Sequence, residues 1–278
     1  MKKLLLAAAA LTLAAPIAPA MADGHGEHAH APSLAEVLAH ERRDEDRARD
    51  QYRNPAETLA FFQVEPGMTV AEFAPGGGWY TRILAPYLAK DGQYIALSRD
   101  SDEVEYEDRA SEARAKSWPE RFAEDFAAEF GGEAKDVHAY EIDEFPEEMY
   151  GTVDRAIIVR AMHGAWNGGV LQNWMREVRK MLKDDGMVGI VQHRAPADAS
   201  FDDVNPARGY LRQADVIKLM ELTGYELVTS SEINANPRDT ADHPQGVWEM
   251  KPNWSTKRPE LENIGESDRM TLLFKKAD

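Results

Sequence analysis

Glu72 stands four residues before the first of three consecutive glycines, Gly76, Gly77 and Gly78, in the stretch EFAPGGGWYT over 72–81. Residues without side chains at a strand-to-helix turn let a ligand lie against main-chain N–H groups, while a nearby carboxylate meets its ammonium or ribose hydroxyls. Phosphate loops fit poorly. A G-x-G-x-x-G dinucleotide loop would need glycine where Thr81 stands, and the Gly-Lys-Ser/Thr ending of a P-loop is absent. Two histidines supply a second kind of chemistry, His163 in MHGAWN and His193 in VQHRA, each at the end of an apolar run. An imidazole there can take a proton near neutral pH.

These residues need elements to hold them. MTVAEFA, GQYIALS, DVHAYEI, DRAIIVRAM, MVGIVQH, ELVTSSEI and RMTLLFKK read as seven strands. Between most of them lie helical patterns, the clearest being Val170, Leu171, Trp174, Met175, Val178, Met181 and Leu182, ended by Asp185 and Gly186. Pro119 breaks a charged helical stretch over 103–130, and Pro86 should kink the helix after the glycines. Alternating strands and helices predict a doubly wound α/β sheet, mainly parallel and covered on both faces. No helix separates the last two strands, so the final one should run antiparallel. Their connection, 234–267, is far longer than a hairpin needs and holds Trp248, Trp254, Asp239, Asp242 and His243, which suits a lid over the ligand face. The charged stretch 33–53 reads as an exposed amphipathic helix, followed by Asn54 and Pro55 as N-cap and first residue of the next helix.

The first 22 residues have a basic start at Lys2 and Lys3, an apolar run and small residues at Ala20 and Ala22, the pattern of a secretory leader that directs the chain to the periplasm or outside the cell. No other segment is apolar for long enough to span a membrane. The histidine-rich stretch 23–32 follows. With Asp23 as a free terminus, its amine, backbone amides and His25 could make a four-nitrogen set suited to copper(II) or nickel(II), although composition favours a polar tail with chance histidines. The formal charge of −17 argues against nucleic acid as a partner, and the absence of cysteine excludes disulfides and thiol catalysis.

The acid and glycines resemble the first motif of the class I S-adenosylmethionine-dependent methyltransferases, an acid followed by x-G-x-G-x-G, with Ala74 in place of the first glycine. The resemblance runs over roughly 68–276, and PGGGWYTRILAP with GESDRMTL is similar to a group of exported methyltransferase-like proteins. It implies a Rossmann-like seven-stranded sheet and S-adenosylmethionine as cofactor, held by Glu72, Ala74, Gly76, Gly77 and Gly78. The family's ribose-binding acid at the end of the second strand falls on Ser98, with Asp100 as the near substitute. Its adenine-facing acid falls on Glu141, with Asp143 the alternative. His163 and His193 become candidate bases for transfer to a small-molecule acceptor, with Trp79, Tyr80 and Trp166 as candidate walls. A second reading is an exported, non-catalytic protein that retains the fold and binds another small ligand.

Overall fold

The computed structural model describes residues 31–130, 137–200 and 204–277. The expected secretory leader, and residues 23–30 of the histidine-rich stretch with His25, lie outside the described residues. Three short helices come first: α1 (Leu34–Ala39), α2 (Asp50–Arg53) and α3 (Pro55–Phe61). The sheet elements follow as β1 (Thr69–Phe73), α4 (Thr81–Leu88), β2 (Gln93–Ser98), α5 (Arg109–Lys116), α6 (Trp118–Phe130), β3 (His138–Glu141), β4 (Val153–Val159), α7 (Met162–Asn167), α8 (Leu171–Met181), β5 (Leu182–His193), α9 (Gln213–Leu222), β6 (Tyr225–Ser231) and β7 (Arg269–Lys276). Among the described residues, no helix is long and apolar enough to cross a membrane.

The strands form one seven-stranded sheet in the order β3-β2-β1-β4-β5-β7-β6. Pairs from β3 through β5 are parallel, while β7 runs antiparallel to both β5 and β6. The winding reverses between β1 and β4, and the carboxyl ends of those strands therefore open a crevice that neither crossover covers. Because β7 is reversed, its first residues arrive at this same edge.

Alternation along the strands divides the core. Ala71 and Phe73 of β1, Ile95 and Leu97 of β2, and Ala156 and Ile158 of β4 pack on one face against the apolar stripe of α8, Leu171, Trp174, Met175, Val178 and Met181. Val70, Tyr94, Ala96 and Ile157 face the other side, where Phe122, Phe126 and Phe130 recur every fourth residue along α6. The break expected at Pro119 falls at Ser117, between α5 and α6, leaving the proline in the first turn of α6, where its missing N–H costs nothing. Pro86 sits near the end of α4.

Two expectations change. The helix end expected at Asp185 and Gly186 comes earlier, at Met181, and Leu182 already pairs with Val153; the ladder is irregular before Met187 pairs with Arg155. The stretch 33–53 is not one exposed helix. Arg43 donates to the Leu38 carbonyl and Arg47 to those of Ala39 and His40, so side chains take up the carbonyls at the end of α1 and the chain turns away. Arg43 is fully buried and bonded to Asp50. Asn54 precedes Pro55 as expected, but in a left-handed conformation with its side chain donating to the Ile233 carbonyl.

Gly189, in the middle of β5, leaves room for the ring of Phe62: a Cβ there would stand 2.5 Å from a ring carbon. Phe62 is completely buried and has nowhere to retreat. Gly189→Ala should lower stability by about 1–3 kcal/mol through overpacking, read as the urea midpoint; an unchanged midpoint would show that this face is loosely packed.

Candidate functional site

Three adjoining hollows of about 550, 500 and 370 Å³ lie at the carboxyl edge of the sheet, and Ala74 lines all three. The first lies beyond β2, among Ser98, Ser101, Tyr106, Arg114, Trp118, Arg121 and Trp174. The second, between β1 and β4, is bounded by Asp100, Glu103, Arg160, His163 and Trp174. The third holds Glu72, Gly76, Gly77, Arg49, Arg53, Arg160, His163, His193, Trp248 and Asn253.

The glycine loop is shaped by backbone conformation. Ala74 has φ +51°, Gly76 +59° and Gly78 +76°. Ala74 thus adopts the left-handed conformation that a glycine takes freely, at about 1–2 kcal/mol, and its N–H donates to the Leu97 carbonyl at 2.7 Å. A Cβ on Gly76 or Gly77 would meet nothing within 4 Å, so both open onto the cleft. Gly78 differs. A Cβ there would lie 2.0 Å from the ring of Phe126, which places this glycine against the core.

Glu72 is buried on the same face as Tyr94, and its Oε2 accepts from Tyr94 OH at 2.7 Å and Thr81 Oγ1 at 3.1 Å. Burial pushes its carboxyl up to about 7, against the pull of those two hydrogen bonds. It therefore changes charge near neutral pH. Both of those bonds fall on Oε2.

The acids assigned to the nucleoside end are gathered together. Carboxylate oxygens of Asp100, Glu141 and Asp143 lie within 4.8 Å of one another, and burial, then the nearby Asp100 and Glu141, raises Asp143. Glu141 is buried with Oε2 accepting from the Ser101 N–H at 2.7 Å, so it braces the loop after β2. Asp100 accepts from the Asp102 N–H. Ser98 lines the first hollow, its hydroxyl directed to the Arg99 carbonyl. Tyr106 OH and Trp174 Nε1 are buried in the walls there without a partner among the described residues.

The histidines do come together. Their ring centroids are 5.6 Å apart, and His163 lies equally far from Trp248. Burial first, then the charge of Arg160, holds His163 below its usual value and His193 well below it, so both are neutral at pH 7. Gln192 Nε2 donates to the Gly209 carbonyl at 2.8 Å, which fixes its amide, and the same NH2 meets His163 Nδ1 at 3.4 Å. That leaves the proton of neutral His163 on Nε2. His193 Nδ1 bonds Ser267 Oγ at 2.5 Å, and donation to Ser267 would leave Nε2 with its lone pair free.

Sequence reasoning missed the arginines. Arg49 and Arg53, from the stretch read as solvated, line the third hollow. Glu266, just before β7, accepts from Arg49 Nε at 2.7 Å, Arg53 Nε at 3.1 Å and Arg269 Nη1 at 3.2 Å. Burial pushes the Glu266 carboxyl upward, but Arg269, Arg53 and Arg49 outweigh it and hold it below the usual range. Trp79 lies under the guanidiniums of Arg43 and Arg53, 5.2 and 4.7 Å from its ring centre. Tyr80 also lines the third hollow, whereas Trp166 packs against the opposite core.

The segment 234–267 brings Trp248 and Asn253 to the cleft. Of its other candidates, Asp239 accepts from Tyr210 OH, His243 Nε2 and the Asp268 N–H, Trp254 Nε1 donates to the Arg258 carbonyl within the segment, and Asp242 is exposed. Asp239 and His243 thus brace the segment against the body.

No family model and no curated protein matches this chain. Solved structures do resemble it. A SAM dependent methyltransferase from Aquifex aeolicus superposes with a TM-score of 0.50 at 16% identity, over 73% of this chain and 94% of that one. The [4+2]-cyclase SpnF gives a TM-score of 0.50 at 14% identity, over 81% and 80% of the two chains. The likeness establishes the Rossmann-like methyltransferase fold. Since one neighbour is a cyclase, the reaction must be argued from the site.

Gly76→Ala should cost about 1 kcal/mol, the left-handed backbone penalty alone. Gly78→Ala must also displace Phe126 and should cost about 1–3 kcal/mol more. Equal losses in urea denaturation would contradict this division of roles.

Glu72 yields a pH dependence. Its carboxyl titrates higher folded than the ordinary 4.5, so the folded state holds the proton more tightly, and that stabilisation is complete below pH 4.5 and lost as pH rises through about 7. Glu72→Gln lacks this loss. The variant should gain on the wild type between pH 4.5 and 8 by up to about 3 kcal/mol; parallel stability curves would refute it.

Proposed function

We propose that this chain is an S-adenosylmethionine-dependent methyltransferase acting on a small molecule. The observation that carries the reading is the coincidence, at the switch point of the sheet, of a buried acid with an open glycine loop whose left-handed turn is kept even at Ala74. The residues present fit the cofactor in chemistry. Glu72 would meet the ammonium group, and Gly76 and Gly77 leave their surfaces open for it. The partnerless Tyr106 OH and Trp174 Nε1, with Ser98 and Asp100, would serve the nucleoside in place of a ribose-gripping carboxylate.

When bound, S-adenosylmethionine supplies an electrophilic methyl group, so the chain's own task is to place the acceptor and remove a proton. His193 Nε2 is the base for an O–H or N–H acceptor, its ring held by Ser267 and kept neutral by burial. His163 donates from Nε2 and orients the acceptor. Trp248 packs beside the His163 ring.

Calorimetric titration with S-adenosylhomocysteine tests the reading. Binding of one ligand per chain is expected, weakened about tenfold in Glu72→Gln, the equivalent of roughly one charged hydrogen bond. No heat at high micromolar ligand would sink the proposal.

A further inference from the structure

The third hollow carries more positive charge than its surroundings neutralise. Arg82 is matched by Asp46 at 2.6 Å, but Arg49, Arg53 and Arg269 share the single carboxylate of Glu266. Arg160 makes no ion pair and no side-chain hydrogen bond among the described residues, and its Nε is buried without a partner. Arg49 Nη2 and Arg53 Nη2 are likewise buried and unbonded, although the Arg53 side chain is only 5% exposed. Orphaned guanidinium donors are costly, because each forfeits hydration without a replacement. Arg160 is also held at φ +57°, at a further cost in backbone strain.

These unpartnered donors suit an anionic ligand. S-adenosylmethionine brings no net negative charge to them, for at neutral pH its one carboxylate is outweighed by an ammonium and a sulfonium. We propose, resting on the methyltransferase reading, that the methyl acceptor is a small acid whose carboxylate or phosphate is held by Arg53 and Arg160 in the third hollow, beside His193. Guanidiniums suit this task because their planar fork meets two oxygens of such a group at once. Trp79, Tyr80 and Trp248 in the same walls leave apolar surface for the body of the acid, and the hollow's volume of about 370 Å³ limits it to a small molecule.

The shared chemistry has two sources, the acceptor's acid group or the cofactor's own carboxylate, and one experiment separates them. Benzoate and phenyl phosphate are titrated by calorimetry into the full chain, with and without saturating S-adenosylhomocysteine, with benzyl alcohol as the neutral control. At least one anion should bind in the presence of S-adenosylhomocysteine while the alcohol does not. Arg160→Gln should weaken that anion at least tenfold and leave S-adenosylhomocysteine affinity unchanged, whereas Arg160→Lys should keep part of the binding. Arg53→Gln serves as the second variant should Arg160→Gln fail to fold. Two results overturn the proposal: no preference for the anions over the alcohol, or competitive displacement of the anion by S-adenosylhomocysteine, which would give the guanidiniums to the cofactor. If the anion binds and S-adenosylhomocysteine does not, the acid site stands and the methyltransferase reading falls.

Discussion

Glu266 holds the two ends of the described fold against each other. It reaches the carboxyl edge of the sheet because β7 runs against its neighbours, and there its two oxygens serve Arg49 and Arg53 from the segment before the sheet and Arg269 from β7 itself. Burying a carboxylate is unfavourable, and removing one partner from such a set generally costs several kcal/mol, since the others are left uncompensated. Much of the site's geometry follows from this contact. Arg53 lies over Trp79, Trp79 packs edge-on to Tyr80 at 4.7 Å, and Tyr80 stands at the head of α4 directly after the glycine loop.

Two buried acids at this edge behave in opposite ways, and the difference is instructive. Glu266 is surrounded by guanidiniums and stays ionised; Glu72 has hydroxyl partners and is poised near neutrality. Two of the charges that hold Glu266, Arg269 and Arg53, also act on His193, which burial first and then Arg160 keep unprotonated. One cluster thus anchors the wall of the cleft and adds to the forces that keep the proposed base unprotonated.

The strands were readable because each is a short apolar run bounded by turn residues, and the antiparallel last pair followed from a connection without a helix. Glu72, the glycines and both histidines were readable because they sit at strand ends, where ligands bind in such sheets. The arginines were not. Charge within ERRDEDRARDQYRN resembles a solvated face, and nothing local shows that Arg43 and Arg53 are buried, because the partner of Arg53 lies 213 residues further along the chain. Gly78 and Gly76 look alike in sequence for a similar reason: only the position of Phe126, on another helix, distinguishes them. Asp239 looked available for a substrate because its partner Tyr210 belongs to a different loop, and His243 is bonded to Asp239 in turn.

That same separation between Arg53 and Glu266 bears on how the protein is made. Contacts between residues far apart in sequence close late, after the loss of chain entropy has been met by nearer pairings. During synthesis the arginines emerge long before Glu266, and a nascent chain carries their charge without its buried counterpart. The binding wall therefore cannot mature strand by strand with the sheet; it forms when β7 docks, so that completion of the cleft coincides with completion of the fold.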